Sequence, residues 1–157
     1  MKNDLLKRKQ FIFFWGNVLI PIFFGGIIYL SFRKESLLMF TWFDSFGLSF
    51  AVNYLRDFLY PYKAVLPNWF LYSLPDGLWL YSFVFFLSFL WENEKPILRI
   101  GWSLIGPVIA IGSEFGQIIK IFPGTYSSLD LLFYFTFGYL AFSIAQNKRI
   151  LLWSIKM

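Results

Sequence analysis

The sequence predicts an all-α protein: a polytopic membrane helix bundle of four transmembrane helices plus one amphipathic interfacial helix. Three observations carry that prediction. Of the 157 residues, 58% are hydrophobic, 24% aromatic and only 15% charged, too little polar material to clothe a water-soluble domain of this size. The mean hydropathy is +0.60. The formal charge of +5 is gathered in short groups, Lys7-Arg8-Lys9, Arg33-Lys34 and Lys148-Arg149, that abut apolar runs. Such groups read as the flanks of membrane spans, and nucleic acid is not an expected partner.

The elements follow in chain order within one integral membrane domain, residues 1–157. The first span covers about 11–30. The run from Gln10 to Phe32 carries no charge over 23 residues, which suits a retained span better than a cleaved signal peptide. Pro21 and the Gly25-Gly26 pair interrupt it, as neighbouring helices allow inside a bilayer. Leu37 to Tyr60 is long enough to cross. Its second half, about 45–60, places Ser49, Asn53, Arg56, Asp57 and Tyr60 on one helical face and apolar residues largely opposite, the pattern of a helix lying in the interface. The second span covers about 77–91 and follows Asp76, the single charge between Ala64 and Trp91. The third covers about 97–122, with Pro107 and Glu114 inside it, and the fourth about 129–146, ending before Lys148-Arg149.

Charge distribution favours four spans over five. With both termini cytoplasmic, Lys2, Lys7, Arg8, Lys9, Lys95, Arg99, Lys148, Arg149 and Lys156 lie inside, and Arg33, Lys34, Arg56, Lys63 and Lys120 outside. A fifth span through Leu37 to Tyr60 would divide the charges equally and abolish the positive-inside bias.

The chain has no cysteine and no histidine. Thiol nucleophiles, thiolate or imidazole metal sites, disulfides and the commonest general base are therefore excluded. No phosphate loop, serine elbow or acidic cation loop is present, and neither a cofactor nor a metal is expected.

What remains is a set of polar residues that a bilayer makes expensive. Glu114 lies six residues before Lys120, roughly 9 Å inward from the span end, where an unpaired carboxylate costs on the order of 3 kcal/mol or more. Gln117 shares its face. Gly112 and Gly116 form a small-xxx-small pair suited, with Gly138, to helix packing. Asp76 and Asp130 stand where acids complement a helix start, and capping is the alternative to any ligand role. The approaches to the second and fourth spans share the pattern Y-S-x-x-D-x-L-aromatic, at Tyr72-Ser73-x-x-Asp76 and Tyr126-Ser127-x-x-Asp130. This would suit two helical hairpins related by an axis along the membrane normal. The expected ligand site comprises Asp76, Glu114, Gln117 and Asp130, with Arg56 and Lys63 near an anionic headgroup.

From Ser113 to Phe142 the order Glu114, Gln117, Asp130, Gly138, with Asp76 upstream, resembles the VanZ-like membrane protein family: an E-x-x-Q pair on one span, then an Asp opening a glycine-containing final span. The resemblance lies mainly within residues 64–145. It departs at Gly124-Thr125-Tyr126, where family members commonly carry a basic residue, and at Tyr134-Phe135, where they commonly carry an Asn. It implies a bacterial cytoplasmic (inner) membrane protein whose namesake is linked to teicoplanin resistance, without a defined reaction.

Three functions are compatible with these residues. The leading one is recognition of an envelope lipid or lipid-linked precursor through an outward-facing polar pocket, with membrane lipids as partners. The second is a noncatalytic subunit of a larger membrane protein complex, the polar cluster serving to join helices. The third, a lipid-processing enzyme with Glu114 or an aspartate as acid or base, has no nucleophile and base pair to support it.

Overall fold

Residues 2–153 are described by a computed structural model, and among them every regular element is helical. Lys156 lies outside the described residues, as do the side chains of Lys2, Lys148 and Arg149, so their predicted location has no structural counterpart. The first helix, α1 (Lys2–Phe32), runs unbroken through Pro21. Asn17 bridges it to the bundle: its amide donates to the Phe13 carbonyl at 2.8 Å and its oxygen accepts the Tyr81 hydroxyl at 2.6 Å.

The helix expected over about 45–60 is present as the shorter Ser49–Leu59, and the chain before it, from Leu38, is helical too. A short α2 (Leu38–Ser45) precedes α3 (Ser49–Leu59). Gly47, at φ 68°, makes the break. Its N–H bonds to the Asp44 carbonyl while that of Leu48 reaches Phe43, closing α2 with a Schellman turn that only a left-handed residue permits. On α3, Val52 and Arg56 are buried and Phe50, Tyr54 and Phe58 exposed. Arg56 is thus buried, whereas Asn53 and Asp57, expected on the same face, are exposed. A 3-10 turn (Tyr60–Ala64) follows.

The second apolar helix begins earlier than expected. A π-helical turn (Trp69–Ser73) leads directly into α4 (Leu74–Leu90). The wide turn precedes Pro75, which has no N–H for an α-type bond. The third helix, α5 (Pro96–Ile118), stops short of Phe122 because Lys120 adopts φ 59° and reverses the chain. The bonds Lys120 N–H to Gln117 O and Ile121 N–H to Gly116 O complete the stop. The last helix is α6 (Ser128–Trp153).

Four helical stretches, Lys7–Phe32, Trp69–Leu90, Pro96–Ile118 and Ser128–Asn147, are long and apolar enough to cross a membrane. They form an up-down arrangement compatible with a membrane helix bundle. α4 is its centre, packed on α1, α5 and α6. Val18, Leu80, Val84, Phe85, Tyr134, Ala141 and Ala145 make the principal core, and Ile28, Phe32 and Leu71 a second beneath α3. Close approach of α4 and α6 depends on Gly77: a Cβ there would stand 2.9 Å from the Phe137 ring.

The glycines expected at helix interfaces behave differently from one another. Gly138 is buried, with Pro107 Cγ 3.7 Å from where its Cβ would be. Gly116 receives the ring of Phe122 from its own loop, and Gly112 faces open space. The Gly112–Gly116 pair thus joins no second helix among the described residues.

Candidate functional site

At one end of the bundle α1 and α5 finish and α4 and α6 begin, so polar residues distant in sequence become neighbours. Arg33, just beyond α1, reaches α4. Its Nη2 donates to Asp76 Oδ2 at 3.2 Å and to the Tyr72 carbonyl at 3.3 Å, and both charged side chains are 25% exposed. The guanidinium lies 5.0 Å from the Tyr29 ring centre and 5.1 Å from that of Tyr72. Such faces favour a cation that has lost part of its hydration. Arg33 Nε is buried and without a protein partner.

Glu114, 3% exposed on the last turns of α5, accepts the Ser127 N–H at 3.0 Å. It thereby fastens the α5–α6 loop to its own helix. Ser127 in turn accepts the Asp130 N–H on Oγ at 3.3 Å, capping the start of α6. Gln117 packs against Gly124, which at φ 138° brings the loop backbone so close that a Cβ would stand 2.8 Å from the Gln117 amide. Gln117 Oε1 and Asp130 Oδ1 are buried without a protein partner.

Asp76, Glu114 and Asp130 lie within electrostatic reach of one another, and Tyr134 is buried one turn along α6 from Asp130. Among the described residues no group of three or more acids is placed to hold a metal ion. The cluster is joined to a groove of about 380 Å³. Arg33, Asn68, Trp69 and Tyr72 form one side of it, and Thr125, Tyr126, Ser127 and Asp130 the other. Tyr72 and Ser73 of the first Y-S-x-x-D copy and Tyr126, Ser127 and Asp130 of the second therefore line one groove. The two copies are not equivalent: Asp76 is occupied by Arg33, whereas Asp130 keeps a free oxygen.

Of the residues expected at the site, Asp76, Glu114, Gln117 and Asp130 lie at this end of the bundle, and of these Asp130 alone lines the groove. Arg56 and Lys63 do not line it. Arg56 instead donates from Nη1 to the carbonyls of Leu30 at 2.7 Å and Arg33 at 3.0 Å, pairs through Nε with Glu35 at 3.1 Å, and lies over Phe40. It closes the end of α1 and so positions Arg33. Lys63 stands 5.0 Å from the Tyr60 ring centre. The groove's cation is Arg33, which sequence reasoning treated only as a span flank. Its signal was available in the chain order, since the end of one apolar helix and the start of the next lie at the same end of the bundle.

The combination offers a hydrogen-bond donor, a carboxylate acceptor and aromatic surfaces at the mouth of an apolar bundle. That suits a polar group attached to something membrane-soluble. No family model matches the chain, and no match was found among curated proteins or solved structures.

Proposed function

We propose that the groove recognises the polar head of an envelope lipid or lipid-linked precursor. The observation that carries this reading is that Arg33 and Asp130 line opposite sides of the groove while Arg33 Nε and Asp130 Oδ1 are buried without a protein partner. A head bearing both an anionic group and an amine or hydroxyl matches the two sides: phosphate on Arg33, a donor on Asp130. Trp69 and Tyr72 flank the path to the bilayer, where amphipathic rings are favoured. In this reading both termini are cytoplasmic, the groove faces outward from a bacterial cytoplasmic membrane, and α3 lies in the interface with Phe50, Tyr54 and Phe58 toward lipid. The Glu114-x-x-Gln117 pair and Asp130 support kinship with VanZ-like proteins.

The experiment is quantification of phospholipid retained by the full chain purified in mild detergent. Replacing one partner of a charged hydrogen bond weakens binding by roughly 10- to 100-fold. Arg33→Gln and Asp130→Asn should each deplete the retained lipid accordingly. Unchanged lipid in both folded variants overturns the reading.

A further inference from the structure

A second concavity, of about 330 Å³, opens between α5 and α6 on a floor that includes Val84 of α4. Leu104, Val108 and Ile111 form one wall and Tyr134, Gly138 and Phe142 the other. It is apolar throughout: the Ser103 hydroxyl on its lining is already engaged by Ser88 and the Arg99 carbonyl, each at 2.7 Å. Its extent identifies what it can hold. The lining runs from Ile100 to Ile111 on α5 and from Tyr134 to Phe142 on α6, or roughly 16 Å and 12 Å along the two helices. A hydrocarbon core is about 30 Å thick, so the cleft has the length of one leaflet and is too short for a crossing helix.

It also ends one helical turn from the polar cluster. Tyr134 is one turn along α6 from Asp130, and Ile111 one turn along α5 from Glu114. Tyr134 thus belongs to both: it lines the cleft and stands one turn along α6 from Asp130. The same three helices, α4, α5 and α6, supply the polar end and the apolar middle of a single seam.

We infer that the α5–α6 cleft is the hydrocarbon-chain site for the amphiphile whose head occupies the groove. This rests on the headgroup reading above and specifies its ligand class: a lipid carrying at least one long chain, held with that chain between helices, and not a soluble headgroup compound. Leu104 and Val108, 50% and 64% exposed at the rim, form a lateral opening through which the chain enters from the bilayer.

The test uses the full chain in vesicles containing phosphatidylethanolamine with a photoreactive group midway along one acyl chain. Peptide mapping then locates the cross-links. The cleft walls should be labelled roughly tenfold above the exposed α1 residues Ile20 and Phe23, the ratio given by about 1.4 kcal/mol of preference. Gly138→Leu, which fills the cleft, and Val108→Trp, which blocks its rim without touching the core, should each remove that excess. Gly138→Ala should retain it, because the added Cβ meets Pro107 at an ordinary 3.7 Å. Labelling spread evenly over all outer faces overturns the inference, as do protein–protein cross-links through the cleft, which would mark a second copy as its occupant. Cleft labelling that survives both Arg33→Gln and Asp130→Asn leaves the chain site standing and overturns the headgroup reading.

Discussion

Arg33 and Arg56 occupy one corner of the bundle, yet their surroundings assign them different roles. Arg56 is buried and gives two hydrogen bonds to main-chain carbonyls at the end of α1. Its ion-pair partner, Glu35, has a side chain 71% exposed, where screening leaves an ion pair worth at most about 1 kcal/mol. The carbonyl bonds dominate. Arg56→Met should therefore destabilise the protein by about 3 kcal/mol in a reversible unfolding measurement in mixed micelles. Glu35→Gln should cost less than about 1 kcal/mol in the same measurement. Equal effects would show that the ion pair, and not the capping of α1, is what Arg56 supplies. The difference was hidden in the sequence because Arg56 is 26 residues from Leu30, and helical spacing reports only neighbours on the same helix. Glu114 was legible for the opposite reason: a lone carboxylate deep in an apolar run must be buried against protein wherever the other helices lie. Its partner, the Ser127 N–H, was not legible, since a backbone donor leaves no trace in composition.

At the scale of elements, the departures from expectation occur where the backbone departs from regular α geometry. Gly47 and Lys120 both adopt left-handed conformations that end helices. Glycine announces such a turn; lysine does not. The third helix was consequently expected to continue to Phe122, although the chain turns at Lys120 and returns Phe122 to cover Gly116. A left-handed lysine carries roughly 1 kcal/mol of backbone strain. Lys120→Gly should raise stability by up to about 1 kcal/mol, less the entropy that glycine returns to the unfolded chain. A loss of stability would mean that the lysine side chain, rather than the backbone, holds the α5–α6 loop. The opposite sign is expected at Gly77. There Ala would set a Cβ 2.9 Å from the Phe137 ring, and the resulting overpacking between α4 and α6 should cost about 1–3 kcal/mol. The π turn before Pro75 had no sequence marker beyond the proline itself, so the second span was expected to start at Gly77 and not at Trp69.

At the scale of the whole molecule, four apolar helices in up-down order place their polar ends in two sets. Arg33, Asp76, Glu114 and Asp130 belong to one set because α1 and α5 finish, and α4 and α6 begin, at the same end of the bundle. A reporter active only outside the cytoplasm should be silent when fused at the C-terminus and active when inserted in the Pro123–Tyr126 loop. The reverse result would turn the groove toward the cytoplasm and exclude an outward-facing headgroup. Four helices long and apolar enough to cross a membrane, their approximate centres and the need to keep Glu114 away from lipid were legible in the sequence alone, because length, hydropathy and charge are all local. Which cation meets Asp76, that Asp130 keeps a free oxygen, that Arg56 closes a helix, and that an apolar cleft lies one helical turn from the polar cluster were decided only by tertiary structure. Those properties depend on the rotation of each helix about its axis. That rotation is set by packing contacts such as Gly77 on Phe137 and Gly25 on Trp79, which join residues far apart in the chain.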